Sequence, residues 1–212
     1  MTRTDSNNAR PDYSFETAHI KAGHKSVAGV DEAGRGPWAG PVVAAAVVLD
    51  AKNIPAGLND SKKLTAAKRE ILFEQIQQTS QIGVGLVSAK EIDRVNILQA
   101  TMKAMSQALD NLPELPAFAL IDGNKAPPVS MPCQTIKKGD ARSLSIAAAS
   151  IIAKVTRDQM MKEMDDRYPG YNFARHKGYG TAIHAKALEK RGPCREHRLS
   201  FAPLRALENR QK

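Results

Sequence analysis

The run "PVVAAAVVL", residues 41–49, is the longest apolar stretch in the chain and constrains the fold more than any other segment. It is far too short to cross a bilayer as a helix. Its β-branched residues, Val42, Val43, Val47 and Val48, and the Gly/Pro-rich stretch before it read as a turn followed by a buried strand. Ser26–Val30, on the other side of that turn, reads as its partner strand.

Further along, apolar periodicity alternates between strand and helix patterns. Thr65–Gln78 has helical spacing through Ile71, Leu72, Gln75 and Ile76, with Thr65 as its N-cap. Gln81–Ser88 reads as a third strand. Glu91–Leu112 reads as one amphipathic helix with Ile92, Val95, Leu98, Met102, Met105 and Leu109 on its core stripe. Phe118–Ile121 and Cys133–Ile136 are the remaining strand candidates, and a long alanine-rich helix is expected from about Ala141 to Asp166. Strands mixed with helices indicate an α/β domain.

At 212 residues the chain suits one domain, with residues 1–25 expected to be a flexible leader. That leader is polar and contains acids, which excludes a secretory signal. Cys133 and Cys194 lie far apart and form no Cys-x-x-Cys motif, so a reduced, cytoplasmic setting is expected. The net charge of +9 is uneven: Arg175–Lys212 holds ten Lys/Arg against three Glu. Such a surface attracts polyanions, although a solvated basic tail explains it equally well.

"GVDEAGRGPWAG" places Asp31 beside Glu32 and follows them with Gly34-Arg35-Gly36. Adjacent carboxylates are costly unless a cation lies near them, and hard divalent ions favour such oxygens. In a regular strand the two would face opposite sides, so a shared site requires the backbone to leave strand geometry there. Asp122 ends the apolar "FALI" and is equally well explained as an Asp-Gly turn; Asp140 is equally well an N-cap of the long helix. Four such acids, brought together at element ends, would make a two-metal site for displacement at phosphorus.

Competing constellations are weaker. Gly23-His24-Lys25-Ser26 lacks the earlier glycine and the preceding strand of a phosphate loop. His176, His184, Cys194 and His197 match no common zinc spacing. Trp38 reads as a packed loop residue rather than a stacking platform.

Six segments, "GVDEAGRGPWAGPVVAAAVVL", "GLNDSKKL", "LIDGN", "KKGDARSLSIAAASIIAKVTRD", "HKGYGTAIHAKAL" and "GPCREHRLSF", together resemble the bacterial type II ribonucleases H, in family order from about Val27 to Phe201. The resemblance implies a ribonuclease H-like fold: a central mixed five-stranded sheet flanked by helices, spanning 26–170, with a C-terminal helical extension over 171–212. It implies hydrolysis of the RNA strand in RNA/DNA hybrids and incision at single ribonucleotides in duplex DNA. Carried over by motif, Asp31, Glu32, Asp122 and Asp140 hold two Mg²⁺ or Mn²⁺ ions. Gly34, Arg35 and Gly36 read the 2′-hydroxyl and its phosphates, Tyr179 packs on the adjacent sugar, and Lys62, with Lys63 its rival, contacts phosphate. The C-terminal "ALENRQK" shows no clamp-binding peptide, and a monomer is expected. Rival readings are an integrase- or transposase-like nuclease and a non-catalytic nucleic-acid-binding module.

Overall fold

In the computed structural model, which describes residues 10–208, the valine-rich run is strand β2 (Val42–Leu49). It pairs antiparallel with β1 (Val27–Ala33) on one side and with β3 (Ser80–Val87) on the other. Strands β4 (Phe118–Asp122) and β5 (Cys133–Ile136) complete the order β3-β2-β1-β4-β5, and the β1–β4 and β4–β5 pairs are parallel. All of β2 except Val48 is buried, and cover on both faces explains why its apolar run does not alternate.

Two helical layers provide that cover. One face, with Ala28, Val30, Ala44, Ala46 and Ile121, packs on α3 (Ala89–Val95) and α4 (Ile97–Asp110) through Ile92, Met105 and Leu109. The other, with Ala45 and Val47, packs on α2 (Ala66–Thr79) through Leu72 and Ile76, and on α5 (Leu144–Arg167) through Ala148, Ile151 and Ile152. The Thr65 hydroxyl accepts the Lys68 N–H and caps α2, a contact of about 1 kcal/mol. Gly29 lies so close to the Ser145–Ile146 backbone that no Cβ fits, which brings the start of α5 directly onto β1.

Past α5 come α6 (Phe173–His176), α7 (Ala182–Arg191) and α8 (Ala202–Glu208). Phe173, Leu188 and Leu204 join Ala39, Met161 and Met164 in a separate apolar cluster. Trp38 packs at its edge, as expected of a loop tryptophan, against Gly180 and 5.5 Å from the His184 ring. No helix among the described residues is long and apolar enough to cross a membrane.

Four expectations need correction. The single helix 91–112 is two, because Asn96 takes φ 69° and its side chain accepts the Leu98 and Gln99 N–H groups. Apolar periodicity passes through such a break unchanged, since both helices bury the same stripe. The long helix starts at Leu144 with Ser143 as its cap, so Asp140 is no N-cap and sits in the preceding 3₁₀ turn, Gly139–Ala141. The expected leader is structured from residue 10 onward, while residues 1–9 lie outside the described residues. Helix α1 (Ser14–Lys21) inserts Glu16, fully buried, where its Oε1 accepts the Ser143 hydroxyl and the Ser145 N–H. Finally, β1 does not end at Val30; it runs through the acidic pair to Ala33.

Candidate active site

Because β1 remains a strand, Asp31, Glu32 and Ala33 pair with Ala45, Ala44 and Val43. On its other edge β1 is paired with β4 only as far as Val30↔Ile121, so the next position along each strand is an acid, Asp31 and Asp122. Side chains alternate, and both aspartates fall on the face that carries α5, where neighbours Val27 and Leu120 meet Ile146. Strand alternation assigns Glu32 to the opposite face, but at the end of the β1–β4 ladder it still feels the Asp122 charge.

The turn before α5 brings in the fourth acid. The Gly139 N–H donates to Asp122 Oδ1 at 2.6 Å, which places Asp140 beside Asp122. Asp31 and Asp140 are both buried. Burial, then Glu32 and Asp122, push the Asp31 carboxyl well above its ordinary range. Burial also raises Glu32, against the counteracting charge of Arg35 at 3.3 Å. Asp140 rises to about 6, through burial and then the charges of Asp60 and Asp122. Lys62 stands between the two pairs: burial works against its charge, but Asp31, Asp140, Asp60 and Asp122 together hold its pKa above the ordinary value.

Two depressions share Lys62. One, of about 540 Å³, contains Asp31, Glu32, Gly34, Arg35, Gly36, Lys154, Arg157 and Tyr179; the other, of about 450 Å³, contains Asp60, Asp122 and Asp140, with Lys63 on its wall. The Tyr179 ring is half-exposed and passes alongside Gly36, 3.6 Å from where a Cβ would lie. All nine residues expected from sequence therefore lie on one continuous surface.

A cluster of like charges in a buried setting fits a hard divalent cation, because its donors are all carboxylate oxygens and three of them hold protons above their ordinary range. Glu32 is engaged with Arg35 and Asp122 with the Gly139 N–H, and no three His, Cys, Asp or Glu side chains among the described residues are already grouped closely enough to hold a metal ion. His176, His184 and His197 do converge, but not as a zinc site. The His184 Nδ1–H donates to the Tyr179 carbonyl at 3.0 Å, and its Nε2 accepts His197 Nε2–H at 3.0 Å. His197 Nδ1 then accepts the Cys194 N–H at 2.9 Å, so no ring nitrogen of this pair is left for a metal.

The residues not anticipated from sequence are Asp60, Lys154, Arg157 and Arg198. Ser150, Lys154 and Arg157 form a polar line at helical spacing along α5, a signal present in the alanine-rich run but masked by its apolar average. Nothing local marks Arg198, whose importance depends on a loop more than 150 positions away.

A family model described as Ribonuclease HII matches residues 28–204. The chain belongs to the ribonuclease HII family. It is 56% identical over 191 residues to a Ribonuclease HII of Azorhizobium caulinodans, covering 90% of this chain and 74% of that one. It is 54% identical over 200 residues to that of Rhizobium etli, covering 94% and 87%. Among solved structures, the ribonuclease H2 of Pyrococcus horikoshii superimposes with a TM-score of 0.73 at 31% identity, over 87% of this chain and 98% of that one. The ribonuclease HII of Archaeoglobus fulgidus, solved in complex with PCNA, gives 0.70 at 25% identity, over 83% and 95%. Ribonuclease HII membership makes the chain a metal-dependent nuclease with the ribonuclease H-like fold. The end of the C-terminal segment read as lacking a clamp-binding peptide, residues 209–212, lies outside the described residues.

Proposed function

We propose that this chain hydrolyses the RNA strand of RNA/DNA hybrids and incises duplex DNA on the 5′ side of a single embedded ribonucleotide, using Asp31, Glu32, Asp122 and Asp140 to hold two divalent ions, Mg²⁺ or Mn²⁺. The observation that carries this reading is the register at the end of the β1–β4 ladder, which sets Asp31 next to Asp122 with Asp140 delivered by the adjoining turn. When bound, the ions supply an activated water and a counter-charge for the 3′-oxygen leaving group, leaving 5′-phosphate and 3′-hydroxyl ends.

The chain's own residues bind and orient. Lys62, already held cationic by the acids around it, neutralises a substrate phosphate. Gly34, Arg35 and Gly36 bring backbone close to the sugar, whose 2′-hydroxyl distinguishes RNA from DNA. The exposed Tyr179 ring beside Gly36 packs on the neighbouring sugar. The two free thiols agree with action in a reducing cytoplasm, and we take the protein to act as a monomer.

Asp122→Asn is expected to abolish Mg²⁺-dependent incision of a duplex carrying one ribonucleotide while binding of that duplex stays measurable. Full activity in this variant would remove Asp122 from the metal site. Binding without incision by the wild-type chain in Mg²⁺ or Mn²⁺ would favour the non-catalytic module.

A further inference from the structure

The segment Gly34–Pro41 is held from behind by two buried arginines that the proposed mechanism does not use. Arg198 is fully buried and Arg157 is 1% exposed. Arg198 donates from Nη2 to the Gly34 carbonyl at 2.6 Å, from Nη1 to the Arg35 carbonyl at 3.0 Å, and from Nε to the Gly40 carbonyl at 2.9 Å. Arg157 donates from Nε to the Pro41 carbonyl at 2.9 Å, from Nη2 to Ala39 at 3.2 Å and from Nη1 to Lys177 at 3.0 Å. Neither forms an ion pair with a carboxylate among the described residues. Burial depresses both guanidiniums, Arg157 to about 10 and Arg198 to about 9, so both stay charged at neutral pH.

Two charges buried without a carboxylate partner are expensive, and carbonyl dipoles are their main compensation. The direction of those carbonyls decides what faces the substrate. In a trans peptide the C=O and the following N–H point in opposite directions, and the chain has no cis bonds among the described residues. Carbonyls of Gly34 and Arg35 turned inward to Arg198 therefore turn the N–H groups of Arg35 and Gly36 outward. Neither N–H finds a protein acceptor among the described residues. Gly34 takes φ +96°, and an added Cβ there would run into the Arg157 side chain and the Pro41 carbonyl, so the glycine is what lets the grip close.

We infer that Arg198 and Arg157 are positioning residues for ribonucleotide recognition: by gripping the carbonyls of the 34–41 loop they hold the Arg35 and Gly36 N–H groups toward the sugar-phosphate of the substrate. The inference rests on the reading of Gly34–Gly36 as the ribonucleotide-sensing segment. Arg198 lies in the C-terminal extension, so that extension sets specificity from behind the site as well as adding surface charge. A lysine keeps the charge but offers no planar fork to span three carbonyls.

The test compares wild type, Arg198→Lys and Arg157→Lys in the full chain, with Ca²⁺ to limit turnover. Dissociation constants are measured for a duplex with one ribonucleotide and for the same duplex in all-DNA form. Arg198→Lys is expected to lose about tenfold or more of the preference for the ribonucleotide duplex, while all-DNA binding changes less than about twofold. Equal weakening for both duplexes, or an unchanged preference, overturns the inference. No preference in the wild type itself would instead overturn the reading of the glycine segment. Should the variants fail to fold, amide exchange on the wild-type protein decides. The Arg35 and Gly36 amides should exchange quickly in the free protein and become protected by the ribonucleotide duplex but not by the all-DNA duplex. Slow exchange in the free protein overturns the inference, whereas equal protection by both duplexes overturns the reading of the glycine segment.

Discussion

Replacing Asp140 by Asn should stabilise the metal-free protein while destroying its activity. In the fold the Asp140 carboxyl is raised from 3.8 to about 6, chiefly by burial and then by Asp60 and Asp122. At about 1.4 kcal/mol per pH unit this corresponds to roughly 3 kcal/mol of destabilisation above pH 6. The carboxyl opens onto a solvent-filled depression beside Lys62, and screening reduces the figure to about 1–2 kcal/mol. The sign follows from the order of ionisation. Below pH 3.8 both states are protonated and there is no penalty. Between 3.8 and 6 the unfolded chain ionises first and the fold is penalised. Above 6 the penalty is complete. Asn is neutral throughout, so its advantage is full at pH 8 and fades by about pH 4. For a chain of this size, about 1–2 kcal/mol moves the melting temperature by roughly 2–8 °C. Thermal melts in EDTA at pH 8 and at pH 4.5 measure it, with Mg²⁺-dependent incision assayed in parallel. The reasoning is refuted if the Asn protein melts at or below wild type at pH 8 in EDTA, or if its advantage is the same at both pH values.

Two further predictions concern buried side chains other than the four candidate carboxylates. Burial depresses His184 and His197 to about 4, so both rings are neutral in the fold. Their contribution to stability is full above about 6.5 and is lost as pH falls from there toward 4. Emission from Trp38, the chain's one tryptophan, 5.5 Å from the His184 ring, should stay constant from pH 8 to 6.5 and change only at lower pH. A transition centred at 6.5 in a fluorescence titration would contradict that placement. Glu16→Ala removes the acceptor for the Ser143 hydroxyl and the Ser145 N–H, and should cost about 1.5–3 kcal/mol as a lower urea midpoint at unchanged slope. A loss under about 0.5 kcal/mol would mean that α1 does not anchor the start of α5.

Local chemistry made much of the fold legible. The β-branched run at 42–49 needed cover on both faces, Thr65 could cap only a helix that followed it, and Cys133–Ile136 carried its strand within its own residues. Where the reading failed, a single side chain outweighed periodicity: Asn96 capped a second helix inside an unbroken apolar stripe, and Glu16 drew a polar N-terminal segment onto the helix start. The candidate acids were recognisable one by one, each beside an ordinary explanation. For Asp140 that explanation proved wrong because the nearer serine, Ser143, took the cap.

By itself, then, the chain's sequence determined most of the sheet strands and the main helices, the acids and glycines that are candidates for a site, and the family pattern they compose. The tertiary structure alone decided that Asp31 and Asp122 lie side by side, since strand register is a relation between residues far apart in the chain. It alone turned the Gly34 and Arg35 carbonyls toward Arg198. A buried cation takes its nearest compensating dipoles, and which dipoles those are depends on how the chain folds back, not on the residues beside it in sequence.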